Sequence, residues 1–259
     1  MIISDQHRYL FVEQPRTACT AIRAELLAYY GGRSILDKHA TYTDFLRVAT
    51  PEQKRYFVFS GIRNPLDERV SIYFKYRANQ GRYRRLIRTQ AIAERQREAF
   101  EYVTDEQADF ASYLRRFCRR PYDNDTLIHH ARMDQLIRFE HLQEDFGLTL
   151  QRLGLEQLRA VPLVNETGGR GAYLDYYGPE IRPHAAWVFG PFMRKWGYEL
   201  PAEWTGVRVP RSAFMAFQIQ LPFRYANRRY LRNRSGPAAR AATAAISRVR
   251  RSAFDVFGW

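Results

Sequence analysis

The chain has 259 residues, 46% apolar and 15% aromatic, which excludes a disordered or low-complexity protein. Two cysteines, Cys19 and Cys118, exclude a disulfide scaffold and suit a reducing compartment, and no apolar run approaches the roughly 18 residues of a membrane helix. The formal charge is +14, and residues 211–259 hold ten Arg against one acid, Asp255, so an anionic partner is expected.

In chain order, the start has no basic flank followed by an apolar stretch, so no secretory signal is read. Residues 8–13 are a short apolar run ended by Gln14-Pro15, which predicts a buried strand feeding a loop. Ile22, Leu26 and Tyr29–Tyr30 recur at helical spacing after Thr20, and Gly31-Gly32 stops that helix. Residues 55–62 are continuously apolar, as in a strand covered on both faces. Arg63-Asn64-Pro65 breaks the run, and Leu66, Val70, Tyr73–Phe74 and Arg77 mark a helix with Pro65 near its first turn. Residues 82–97 read as an Arg-rich helical insertion, set within about 80–106, and residues 107–120 as a packed helix. Residues 135–139 start a third strand–helix unit carrying Phe146, Leu150 and Leu153. Residues 165–178 read as a Gly- and Tyr-rich loop, and residues 179–197 as the last helix of the body. Repeated strand–helix units predict an α/β fold with a central, mainly parallel sheet flanked by helices. The expected domain is 1–205, with a basic C-terminal extension at 206–259.

Two loops carry the chemistry. The first, Pro15-Arg16-Thr17-Ala18-Cys19-Thr20-Ala21-Ile22, follows a strand and opens a helix. Helix-terminal N–H groups bind phosphate or sulfate, Arg16 adds a fork of donors, and Thr17 and Thr20 add hydroxyls. A helix cap with a surface Arg is the plainer reading of this loop alone. In the second loop, Arg63 ends the strand and Ser71 lies two helical turns on, so both suit one phosphate. The plainer reading there is a surface network of Asp67, Glu68 and Arg69. Anion sites at the ends of neighbouring strands fit a ligand with phosphates at both ends.

Residues 11–22 resemble the 5′-phosphosulfate loop of sulfotransferases that use 3′-phosphoadenosine 5′-phosphosulfate (PAPS), written in that family Pro-Lys/Arg-Thr-x-Gly/Ser-Thr-Ser. Residues 59–65, with Arg69, Ser71 and Tyr73, resemble its 3′-phosphate element. Ile137-Arg138-Phe139-Glu140-His141-Leu142 resembles a later Arg-Tyr/Phe-Glu-x-Leu strand; Val164-Asn165-Glu166-Thr167 and Trp196-Gly197-Tyr198 match more loosely. The resemblance spans about residues 8–200 and is nearest the carbohydrate-type, sulfotransferase family 2-like branch. It implies a P-loop-kinase-like sulfotransferase fold in which Arg16, Thr17, Ala18, Cys19, Thr20, Ala21, Arg63 and Ser71 hold PAPS or its product, 3′-phosphoadenosine 5′-phosphate. Cys19 stands where the family has a small residue, and Ala21 where it has a hydroxyl. Cys19 beside Arg16 reads either as a thiol of lowered pKa or as an apolar filler.

The resemblance also makes His39, in Lys38-His39-Ala40-Thr41, the general base, since imidazole titrates near neutrality. Glu13 is the next candidate, and a surface or capping histidine is the plainer reading of His39. Arg16 and His39 are thus the expected catalytic pair. No metal is required; His129-His130 and His141 lack companion ligands. The expected activity is sulfuryl transfer from PAPS to a hydroxyl acceptor, carbohydrate or glycolipid, in the cytoplasm. Two alternatives stand beside it: a small-molecule kinase of similar fold, disfavoured by the lack of a Gly-Lys-Ser/Thr loop, and a non-enzymatic polyanion-binding protein. No nucleic-acid motif is recognisable. In the extension, the apolar residues 214–223 precede an arginine cluster, and residues 238–251 could form a basic amphipathic helix. This suits peripheral contact with the anionic inner membrane face, against two alternatives: packing on the body, or a subunit-exchange arm.

Overall fold

A computed structural model describes residues 1–124, 133–162 and 171–226. Its elements begin with β1 (Ile2–Ser4), β2 (Tyr9–Val12), α1 (Cys19–Tyr29), β3 (Arg33–Ser34), α2 (Tyr42–Val48) and β4 (Phe57–Ile62). Then come α3 (Pro65–Ala78), α4 (Gln80–Arg88), α5 (Glu94–Thr104) and α6 (Phe110–Phe117). The described chain ends with β5 (Gln135–Arg138), α7 (Leu142–Arg152), α8 (Arg182–Lys195) and α9 (Arg211–Ala226). Two compact units result. One comprises Met1–Asn64 and the described part of Asn124–Glu166; the other comprises Pro65–Asp123 and the described part of Thr167–Trp259.

The first unit is α/β, built on a five-stranded sheet of order β3-β1-β2-β4-β5. Period-2 alternation covers both of its faces. Ile2, Tyr9, Phe11 and Phe59 pack with Ile22 and Leu26 of α1 and Phe146 and Leu150 of α7. Ile3, Leu10, Val12 and Val58 pack with Tyr42 and Phe45 of α2. Strand residues therefore serve two layers of helix, which explains why the runs read as continuously apolar. The β2/β4 and β4/β5 pairs are parallel, but β1/β2 and β1/β3 are antiparallel, so the sheet is mixed rather than mainly parallel. The cause is local. The turn from β1 to β2, through Asp5-Gln6-His7-Arg8, is too short for a crossover and makes a hairpin.

The second unit is helical. Leu66, Val70, Tyr73 and Tyr76 of α3 meet Phe100 of α5, Phe110 and Tyr113 of α6 and Val188 and Phe189 of α8. Its rings pack edge to face, as in Tyr73–Phe110 at 5.6 Å and Tyr76–Tyr83 at 4.9 Å. The expected Arg-rich insertion is helical, forming α4 and α5.

The start of the basic extension belongs to this unit. Ala213, Ala216, Phe217 and Gln220 of α9 are buried, and α9 packs on α8. Gln220 Nε2 donates to the Pro121 carbonyl at 3.0 Å, and Arg224 pairs with the fully buried Asp123 carboxylate. Packing on the body therefore describes the apolar half of the extension. The 238–251 segment, His129-His130 and the 164–167 match lie outside the described residues. Among the described residues, no helix is long and apolar enough to cross a membrane.

Phe217 is 2% exposed. Phe217→Ala should destabilise the protein by about 3–5 kcal/mol in a urea titration, from lost burial plus a cavity. A loss below about 1 kcal/mol would show that α9 merely rests on the surface.

Candidate functional site

The register Val12↔Ser60 in the parallel β2/β4 pair sets the carboxyl ends of both strands side by side. Ser60 Oγ donates to the Val12 carbonyl at 2.7 Å, tying the two exits together. The loop before α1 leaves β2 and the Arg63-Asn64 turn leaves β4, so the two loops follow neighbouring parallel strands at one end of the sheet.

The first loop is held by its own interior. Thr17 is 1% exposed, and its Oγ1 donates to the Gln14 carbonyl at 2.9 Å. That hydroxyl is thus spent on the loop, and any ligand contact from Thr17 falls to its backbone. Gly61 of β4 makes the loop's close approach feasible: a Cβ there would lie 2.3 Å from Thr17 Oγ1 and 2.8 Å from its carbonyl oxygen. Arg16 and Ala18 both have positive φ, at 66° and 59°. Ala18 then starts α1 with no side-chain cap and no acid in the first turn. Helix geometry leaves the first N–H groups, at Cys19 and Thr20, without intrahelical acceptors.

Cys19 and Ala21 are buried, at 5% and 2% exposure. Burial pushes the Cys19 thiol up, against the pull of the Lys38 charge. Of the two readings of Cys19, the apolar filler is the one the structure bears out.

Arg63 is 7% exposed, with its guanidinium 3.9 Å from the centre of the Phe139 ring. Its Nη1 donates to the Arg16 carbonyl at 3.3 Å, so one loop's cation fastens the other loop. Glu140 Oε1 accepts the Asn64 N–H at 2.7 Å. Arg138 makes hydrogen bonds of 2.8 Å to both Asp145 oxygens. Burial opposes ionisation of Asp145, but these hydrogen bonds hold its carboxyl below the usual carboxylate range. The Arg-Phe-Glu strand, read from sequence only as a match, thus supports the second loop.

His39 has φ 69° and is half-buried, with Nδ1 2.8 Å from the Glu13 carbonyl oxygen. A carbonyl only accepts, so Nδ1 carries the proton and Nε2 keeps its lone pair when the ring is neutral. Glu13 is fully buried, and its Oε2 accepts from the Met1 ammonium and from Arg23 at 2.7 Å. Its Oε2 is thus engaged inside the unit, while its buried Oε1 has no hydrogen-bond partner among the described residues. Thr41 forms a capping box with Asp44 at the start of α2, fixing the end of the His39 segment.

Sequence reasoning gave Lys38 no role. Its Nζ donates to Thr20 Oγ1 at 2.9 Å, adding an ammonium at the start of α1. The signal was its position beside His39. Ser71 is 3% exposed on α3, in the second unit. Arg69 also belongs there, with Nη1 3.5 Å from the Tyr113 hydroxyl and its guanidinium 5.9 Å from the Tyr122 ring. Among the described residues, no group of three or more His, Cys, Asp or Glu could hold a metal ion. No family model, curated protein or solved structure matches this chain.

Gly61→Ala should drive the Thr17 backbone away from β4. We expect about 1–3 kcal/mol of destabilisation on urea unfolding, because backbone cannot rotate out of the way as a side chain can. A neutral substitution would mean that the loop is not clamped at Gly61.

Proposed function

We propose that the chain is a sulfotransferase that moves the sulfuryl group of PAPS to a hydroxyl of a glycan or related acceptor, on a sulfotransferase-type variant of the α/β fold. The observation carrying this reading is the pair of cation-bearing loops at the adjoining ends of β2 and β4, the first opening α1 without a cap. The donor set suits a phosphate–sulfate group: N–H groups of a helix start, the Arg16 guanidinium and the Lys38 ammonium, with no acid in the first turn.

PAPS supplies an activated sulfuryl group on a phosphate–sulfate anhydride. Backbone N–H groups at Cys19 and Thr20 hold anionic oxygens at the helix start. Arg16 offsets charge that grows on the departing phosphate, and Lys38 adds to the same field. His39 Nε2 takes the acceptor's proton, the Glu13 carbonyl fixing the ring in the required tautomer. Arg63 keeps the Arg16 loop in place through the Arg16 carbonyl, besides its expected part at the 3′-phosphate. Catalysis on this scheme is positioning plus electrostatics and asks no redox or covalent step of the protein.

The product nucleotide, 3′-phosphoadenosine 5′-phosphate, should raise thermal stability, by roughly 2.7 kcal/mol at 100 times its dissociation constant. AMP, lacking the 3′-phosphate, should do much less. Equal stabilisation by the two would remove Arg63 and Ser71 from nucleotide recognition.

His39→Ala should cut transfer roughly 10²–10⁴-fold while leaving nucleotide affinity unchanged. Radiolabelled PAPS with a panel of hydroxyl acceptors gives the rate, and calorimetry gives the affinity. Near-normal turnover in the variant would end the base assignment.

A further inference from the structure

The α4 helix buries one face and leaves the other charged. Tyr83 is buried, and Leu86 and Ile87 pack against the same core. Arg82, Arg84, Arg85 and Arg88 are exposed, and the helix contains no acid. Arg84 pairs with Asp105 at 2.7 Å. The side chains of Arg82, Arg85 and Arg88 make no ion pair or hydrogen bond with the described residues. Spacings of three residues make Arg82, Arg85 and Arg88 neighbours on the helix surface, where like charges repel. Arg82 also stands near the positive end of the helix dipole. The arrangement opposes helix stability, and an anion laid along it relieves the repulsion.

Beside these arginines is an open cleft of about 530 Å³, lined by Gly81, Arg84, Ile87, Arg88, Glu101 and Asp105. A Cβ on Gly81 would meet nothing within 4 Å, so the rim is unobstructed. The lining mixes guanidinium donors, carboxylate acceptors and one apolar side chain.

We propose that this α4–α5 face binds an acidic polysaccharide, with Arg82, Arg85 and Arg88 on its carboxylate or sulfate groups and a sugar ring in the cleft. The arginine fork matches either anion. Glu101 and Asp105 accept hydrogen bonds from free sugar hydroxyls, which a polysaccharide carries and a DNA backbone lacks. The helix's one aromatic residue, Tyr83, is buried, so α4 itself offers no platform for stacking bases. Its apolar residues pack against the core, with only Ile87 also lining the cleft, so α4 offers no apolar stripe to enter a bilayer. The inference does not rest on the transferase reading, because binding needs no nucleotide.

The test titrates the full chain, without nucleotide, with a size-defined oligogalacturonate, a neutral dextran oligomer and a DNA single strand of equal charge. Arg82→Gln/Arg85→Gln/Arg88→Gln should weaken oligogalacturonate binding about tenfold. The tail variant Arg228→Gln/Arg229→Gln/Arg232→Gln should lose less. Glu101→Ala, which removes a hydroxyl acceptor together with its charge, should tighten DNA relative to oligogalacturonate, and dextran should not bind. In the unmodified protein, oligogalacturonate should slow hydrogen exchange within residues 80–105, a readout independent of how the variants fold. Absence of oligogalacturonate binding at low salt would overturn the proposal. So would a loss confined to the tail variant, or DNA binding as tight through the same three arginines.

Discussion

The parallel pairing of β2 with β4 is the constraint on which the first unit depends. It sets the exits of both strands at one sheet edge and brings Thr17 against Gly61 so closely that no side chain fits between them. The loop's conformation follows from that approach. Thr17 turns its hydroxyl inward, Arg16 and Ala18 take left-handed backbone angles, and α1 starts with bare N–H groups. Left-handed angles on non-glycine residues cost free energy and persist only where surroundings impose them. Here the imposing contacts are Gly61 behind the loop and Arg63 beside it.

Arg63 shows how a buried cation is made tolerable. Its guanidinium lies against the Phe139 ring and donates to a backbone carbonyl, so part of the lost hydration is replaced by a π face and a dipole. An arginine can do this because its flat, weakly hydrated head stacks and donates at once; a lysine cannot. The second loop's cation thereby becomes a strut for the first, and the β5 segment that carries Phe139 is coupled to both.

Much of the first unit was legible in the sequence because its signals are local. The runs at 8–13 and 55–62 gave β2 and β4, and Gly31-Gly32 gave the end of α1 at Tyr29. The antiparallel edge was not read, because β1 and β3 are only three and two residues long, shorter than any periodicity. In the site, Arg16, Arg63 and His39 stood out by residue type and position. The inward turn of Thr17 and the fixing of His39 were not legible, since the first depends on the approach of Gly61 and the second on a carbonyl 26 residues away, whereas Cys19 was already read as a filler beside a reactive alternative. Packing of the apolar residues 214–223 on the body was read as one of three alternatives, and the burial of Ala213, Ala216 and Phe217 decides for it.

The contacts of α9 have a consequence for how the chain folds. Gln220 meets Pro121 and Arg224 meets Asp123 across separations of 99 and 101 residues. The two units are also interleaved, since residues 65–123 come between the two stretches of the first. During synthesis the first unit waits for β5 with half of the second already made. The second then waits for α9, with the Asp123 carboxylate lacking its arginine until then. Such non-local closure slows folding and prolongs exposure of apolar surface. A nascent chain of this design gains most from a chaperone between the emergence of α6 and that of α9.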